Sequence, residues 1–234
     1  PAELINVAGV LFFTATDGTK GRELWKSDGT ATGTVLVKDI RSGNSDSAPQ
    51  FLTNVNGKLF FSAADTAAGR ELWKSDGTTA GTVLVKDIRS GASDSAPQQL
   101  ANANGVLYFS ANETTNGREL WKSDGTKTGT VLVKNISAGT ASSNPADMTL
   151  VGSMIYFSAA DGANGRELWK TDGTAAGTTL VKNIAAGNGH SNPTSFVSLN
   201  GRLWFTAQES THGRELWVSD GSAANTQRVQ DLSI

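Results

Sequence analysis

The chain has 234 residues, with 20 Lys plus Arg against 22 Asp plus Glu, a formal net charge of -2, two His and no Cys. That balance lacks the basic excess a nucleic-acid partner requires, and zero Cys removes disulfides, thiolate metal sites and cysteine nucleophiles. With 38% hydrophobic and 18% charged residues the chain is too apolar to remain disordered, and no apolar run approaches the ~20 residues that cross a bilayer, so we expect a folded protein without membrane insertion.

One period organises the sequence. Trp25, Trp73, Trp121, Trp169 and Trp217 recur every 48 residues, as do Pro1, Pro49, Pro97, Pro145 and Pro193. The copies run over 1–48, 49–96, 97–144, 145–192 and 193–234.

Taken in chain order, the second copy reads as four short strands. Strand A is Gln50 to Val55, and Asn56-Gly57 is a two-residue hairpin turn whose positions both need positive φ. Strand B, Leu59 to Ala63, recurs as LFFTA, LYFSA, IYFSA and LWFTA, too short for a helix and apolar enough for burial on both faces. Strand C is Arg70 to Ser75, Asp76-Gly77 opens a loop, and strand D is Val83 to Ile88. Four strands in this length match a propeller blade, whereas a leucine-rich solenoid repeats at ~20 to 29 residues. The expected architecture is all-β: a monomeric five-bladed β-propeller, one domain over 1–234, with A innermost and D outermost. Residues 1–40 and 193–234 are expected to close the ring by packing alone.

The string GRELWKSDGTxxGTVLVKDI resembles the ELWxxDGT repeat family, named for a motif found in tandem copies in large bacterial proteins that are often exported or surface-associated. Glu23 to Thr30, Glu71 to Thr78, Glu119 to Thr126 and Glu167 to Thr174 carry the full motif, while the fifth copy has Ser222, Asn225 and Gln230 at the Thr, Gly and Lys positions. The resemblance implies a repeat scaffold in an extracellular or cell-surface setting and brings no catalytic residue.

The repeated Asp28, Asp76, Asp124, Asp172 and Asp220 have calcium-ligand chemistry, but no second carboxylate stands at EF-hand spacing, and Asp before Gly caps turns; no cofactor is expected. Each Arg-Glu pair, such as Arg70-Glu71, points to opposite faces of its strand and so should bond loop backbone or a neighbouring blade. The five Trp sit beside Leu and read as core rather than as sugar-stacking platforms. Asp17, Asp65, Glu113, Asp161 and Glu209 follow the B strands, but near-equivalent sites cannot divide acid and base roles, so no enzyme activity is expected. His190 and His212 read as exposed loop residues.

In a four-stranded meander the B–C and D–A loops emerge together, and these loops vary between copies. They are where a ligand would bind, with Asp65, Asn112, Glu113, Asn116, Asn164, His190, Gln208 and His212 as candidates. The expected function is a non-catalytic scaffold with a face for a glycan or surface protein. A multivalent lectin-like module, and an engineered or recently amplified repeat without a ligand, are the other readings. Under the scaffold reading Asn116 is a loop residue with no special role.

Overall fold

The structure, a computed structural model, describes residues 1–231. Positions 232–234, which end the fifth copy, lie outside the described residues. Each repeat forms one antiparallel sheet in simple chain order. The first comprises β1 (Ala2–Val7), β2 (Val10–Ala15), β3 (Glu23–Ser27) and β4 (Val35–Lys38); the second β5 (Gln50–Val55), β6 (Lys58–Asp65), β7 (Gly69–Ser75) and β8 (Val83–Lys86). The third comprises β9 (Gln98–Ala103), β10 (Val106–Glu113), β11 (Gly117–Ser123) and β12 (Val131–Lys134). The fourth has β13 (Ala146–Val151), β14 (Met154–Ala160), β15 (Arg166–Thr171) and β16 (Thr179–Lys182); the fifth has β17 (Thr194–Leu199), β18 (Arg202–Glu209), β19 (Gly213–Ser219) and β20 (Gln227–Arg228). The fold is that of a five-bladed β-propeller, with five four-stranded sheets among the described residues.

Local chemistry sets most boundaries. Asn56 and Gly57 have φ of 51 and 77, as the β5–β6 turn demands, and Asn54 Oδ1 accepts the Gly57 N–H at 3.0 Å. The D strand is shorter than the sequence suggests: β8 ends at Lys86 because the Ile88 N–H leaves the ladder and donates to Glu71 Oε2 at 3.1 Å. The A strands carry a bulge that the sequence does not announce. Register shifts between Gln50 and Thr53, with Phe51 at φ 58, and Glu3, Gln99, Asp147 and Ser195 repeat that positive φ.

By contacts the chain divides into two compact units, Pro1–Glu113 with Ser123–Val131, and Thr114–Lys122 with Leu132–Ile234. In the first, β5 lies beside β1 and β9, and Leu24, Val37 and Ile40 of the first sheet seal against Leu59, Phe61, Ala63 and Trp73 of the second. In the second, β17 lies beside β13, and Leu168, Val181 and Ile184 seal against Leu203, Phe205, Ala207 and Trp217. Burying a side chain such as Phe61 stabilises the fold by ~1.5 to 3 kcal/mol. The A strands are thus the ones that meet from sheet to sheet within each unit.

Exposure of equivalent leucines differs between sheets. Leu11 in the first sheet is 38% exposed, whereas its counterparts Leu59, Leu107 and Leu203 are 0% exposed. In the fifth sheet Leu216 is 36% exposed, against 0% for Leu24, Leu72, Leu120 and Leu168.

Candidate binding groove and the repeated polar residues

The buried Glu of the ELW motif is the anchor of each repeat. Glu71 projects from β7 into the loop after β8, where Oε1 accepts the Ser95 N–H at 3.0 Å and the Arg89 N–H at 3.3 Å. Its Oε2 accepts the Ile88 N–H and the Ser95 hydroxyl, the latter at 2.5 Å. Glu23, Glu119 and Glu167 hold the matching loops through Ser47, Ser143 and Ser191. Burial pushes the Glu71 carboxyl up to about 7 against these bonds, which favour the charged form.

The neighbouring Arg turns the other way. Arg70 Nη1 donates to Ala48 O at 2.9 Å and Nη2 to Ser47 O at 3.2 Å, tying β7 to the loop that precedes its own sheet. Expected contacts to loop backbone are therefore what this pair makes. Asp76 closes the C–D loop: Oδ1 accepts the Thr78 N–H at 2.9 Å and the Thr78 hydroxyl at 2.8 Å, which hold its carboxyl below the usual range. A Cβ on Gly81 would run into that carboxylate. The fifth copy preserves the arrangement with other residues, since the Ser222 hydroxyl reaches Asp220 Oδ1 at 2.7 Å and Asn225 Nδ2 reaches Oδ2 at 2.6 Å. Among the described residues no group of three or more His, Asp or Glu is placed to hold a metal ion.

A groove of about 410 Å³ lies in the first unit, where the D–A loops of the first two sheets meet the B–C loop of the second. Arg41, Asp46, Asp65, Arg70 and Asp94 line it, beside Thr66 and Gly69. Asp94 Oδ1 accepts the Arg70 N–H at 2.7 Å, Asp46 Oδ1 accepts the Arg22 N–H at 2.6 Å, and Arg41 Nη1 donates to Asp46 O at 3.4 Å. Gly69, at φ 68, lets that loop approach: a Cβ there would lie 2.7 Å from Asp94 Oδ1 and 2.8 Å from Ser93 O. The result is a polar concavity with two guanidinium groups and three carboxylates on a fixed frame.

Of the eight candidate residues, Asp65 lines this groove, and its Oδ1 also accepts the Ala67 and Ala68 N–H groups at 2.8 and 2.6 Å. Asn112 donates its main-chain N–H to Ser95 O at 2.8 Å, and Glu113 ends β10, half-buried. In the second unit the polar candidates serve their own loops. Asn116 Oδ1 accepts Asn135 Nδ2 at 2.7 Å, so it is not the idle loop residue expected; Asn164 bonds Asp161 and accepts Asn183 Nδ2 at 3.0 Å. Gln208 donates its main-chain N–H to Ser191 O at 2.8 Å. His190 is exposed, and Nδ1 accepts the Arg166 N–H at 2.9 Å, the task of Asp46 and Asp94 in earlier copies. His212 is half-buried rather than exposed, because Nδ1 lies 3.0 Å from Glu209 Oε1 beside Arg228 and Asp231. Sequence reading missed Arg41, Asp46, Arg70 and Asp94 as groove residues; their place in the D–A loop and beside the B–C loop was the available signal.

No protein-family model and no curated protein matches the chain. Solved structures do. The computationally designed protein Ika8 matches over 98% of this chain and 61% of its own, at TM-score 0.52 and 18% identity. A puromycin hydrolase, in its S511A form, matches over 98% of this chain and 38% of its own, at TM-score 0.54 and 15% identity. Prolyl endopeptidases match at TM-score 0.55 and 11% identity, over 94% of this chain and 32% of theirs. These likenesses are to the β-propeller fold.

Proposed function

We propose that the chain is a non-catalytic propeller scaffold whose B–C and D–A loops form a binding face for a polar, hydroxyl-rich ligand such as a saccharide. The groove around Asp65 carries this reading: it presents carboxylate acceptors and guanidinium donors together, the pairing that multiple hydroxyl groups satisfy, and both are held by backbone bonds before a ligand arrives. The repeated Glu and Asp groups, the alternatives for chemistry, are occupied by loop amides and hydroxyls. An extracellular or cell-surface setting, implied by the repeat resemblance, suits such a binder.

A glycan array followed by titration of the best ligand tests it. Affinity should fall at least tenfold in Asp65→Ala and Arg41→Ala, with the fold unchanged by circular dichroism. Silence across the array, or affinity unaltered in both variants, overturns the proposal in favour of a repeat without a saccharide ligand. Turnover of a hydrolase substrate that is lost in Asp65→Asn overturns the non-catalytic part.

A further inference from the structure

The A–B turns differ between copies at one position. Asn56, Asn104 and Asn200 hold it in the second, third and fifth copies, Gly152 in the fourth and Ala8 in the first. Ala8 has φ 53, against 51 for Asn56 and 52 for Asn104, so it sits in the left-handed region that Asn and Gly tolerate and Ala resists. Asn56 shows what the usual side chain does there. Its Nδ2 donates to Gly105 O at 3.4 Å, and the carboxamide lies so close over the β9–β10 turn that a Cβ on Gly105 would come within 2.5 Å of Nδ2.

Ala8 has no such group, and the matching place over Gly57 is open: a Cβ on Gly57 would meet no heavy atom within 4 Å. A pocket of about 130 Å³ lies there, lined by Val7, Ala8, Phe12, Lys26, Gly57 and Gly77 among others. Val7 and Phe12 are buried and give it apolar walls, while Lys26 Nζ donates to Gly77 O at 2.8 Å and keeps two further N–H groups. The open place and the filled one, with Asn56 and Gly105, both belong to the first unit. In the second unit Gly152 also brings no side chain, but Tyr156 stands where Phe12 stands, and a Cβ on Gly221 would run into its hydroxyl. Pockets for drug-sized ligands begin at ~300 Å³, so the space under Ala8 takes a side chain and not a whole ligand.

We infer that this pocket accepts the carboxamide of an asparagine side chain presented by a partner peptide. The filled place identifies the occupant, because the same turn one repeat on is covered by that group from the chain itself. The carboxamide N–H donates to Gly57 O as Asn56 Nδ2 donates to Gly105 O, its oxygen takes a Lys26 N–H, and its methylene rests against Phe12 and Val7. An aspartate lacks the donor for Gly57 O and meets the Asp76 carboxylate in the pocket lining, and an alanine leaves both polar partners unserved. The inference stands apart from the saccharide reading, since this pocket lies at the A–B and C–D turns and the groove at the B–C and D–A loops, the other end of the strands.

Titration of the isotope-labelled full chain with N-acetylasparagine methylamide, beside the aspartate and alanine analogues, tests it by nuclear magnetic resonance. The amide resonances of Gly57 and Gly77 should shift saturably with the asparagine compound, and both analogues should bind at least tenfold more weakly. Ala8→Asn restores the residue of the other turns and places the chain's own carboxamide in the pocket, so it should abolish the shifts while the amides of β10 keep their positions. No saturable shift at Gly57, equal affinity for the alanine analogue, or shifts that persist in Ala8→Asn with β10 intact overturns the inference.

Discussion

Ser95 donates its hydroxyl to Glu71 Oε2 at 2.5 Å, and both residues are fully buried although 24 positions separate them. The bond crosses from strand C to the end of the loop leaving strand D, so it fixes where the chain departs toward the next repeat. A buried carboxylate accepting four donors is inexpensive only while all four remain. Ser95→Ala should therefore destabilise the fold by ~1.5 to 3 kcal/mol, the worth of a hydrogen bond to a charged group, as read by urea denaturation. A loss below ~0.5 kcal/mol would mean the loop is held by its backbone bonds alone.

Acidity should act on the same network. Burial raises the folded pKa of Glu71 from 4.5 to about 7, and those of Glu23, Glu119 and Glu167 in the same direction. The folded state then holds protons that the unfolded chain releases, so this contribution is complete below pH 4.5 and is lost as pH rises through 7. Asp17 and Asp220 oppose it: loop hydrogen bonds lower both to about 2, and their contribution is present above 3.8 and lost as pH falls through 2. The urea midpoint should be higher near pH 4.5 than above pH 7, and Glu71→Gln should flatten that fall. One proton contributes at most ~1.4 kcal/mol per pH unit. A midpoint that rises over this interval contradicts the assignment.

Trp121 is buried to 5% exposure within its sheet. Trp121→Ala should cost ~3 to 5 kcal/mol by chemical denaturation, the loss expected for a large buried aromatic. Asn116→Ala should cost ~0.5 to 1.5 kcal/mol, because it removes the acceptor of Asn135 Nδ2. A near-neutral Trp121→Ala would place that indole at the surface.

Sequence periodicity carried strands A, B and C to within a few residues, since period-two runs and the Asn56-Gly57 turn are local signals. The end of strand D was not legible, because the Ile88 amide is claimed by a carboxylate from another strand. Nor was the bulge at Phe51, which reaches positive φ without a glycine to mark it. Full burial of Glu71 is likewise a tertiary fact: charge patterning places Glu outside, and only the four loop donors reverse that. The exposure of Leu11 and Leu216 is also not legible, since leucines at the same positions of other copies are buried.

The repeated Glu of each ELW motif anchors loop backbone rather than being offered to a ligand or reaction. Amide hydrogen exchange at Ile40, Ile88, Ile136 and Ile184 reads this directly, because these N–H groups lie beyond the D strands and donate only to Glu23, Glu71, Glu119 and Glu167 in the hydrogen bonds described. All four should be protected as strongly as ladder amides of the neighbouring strands, and Glu71→Ala should abolish protection at Ile88 while sparing Ile184. Exchange of the four amides at the rate of exposed loops in the intact protein would contradict it.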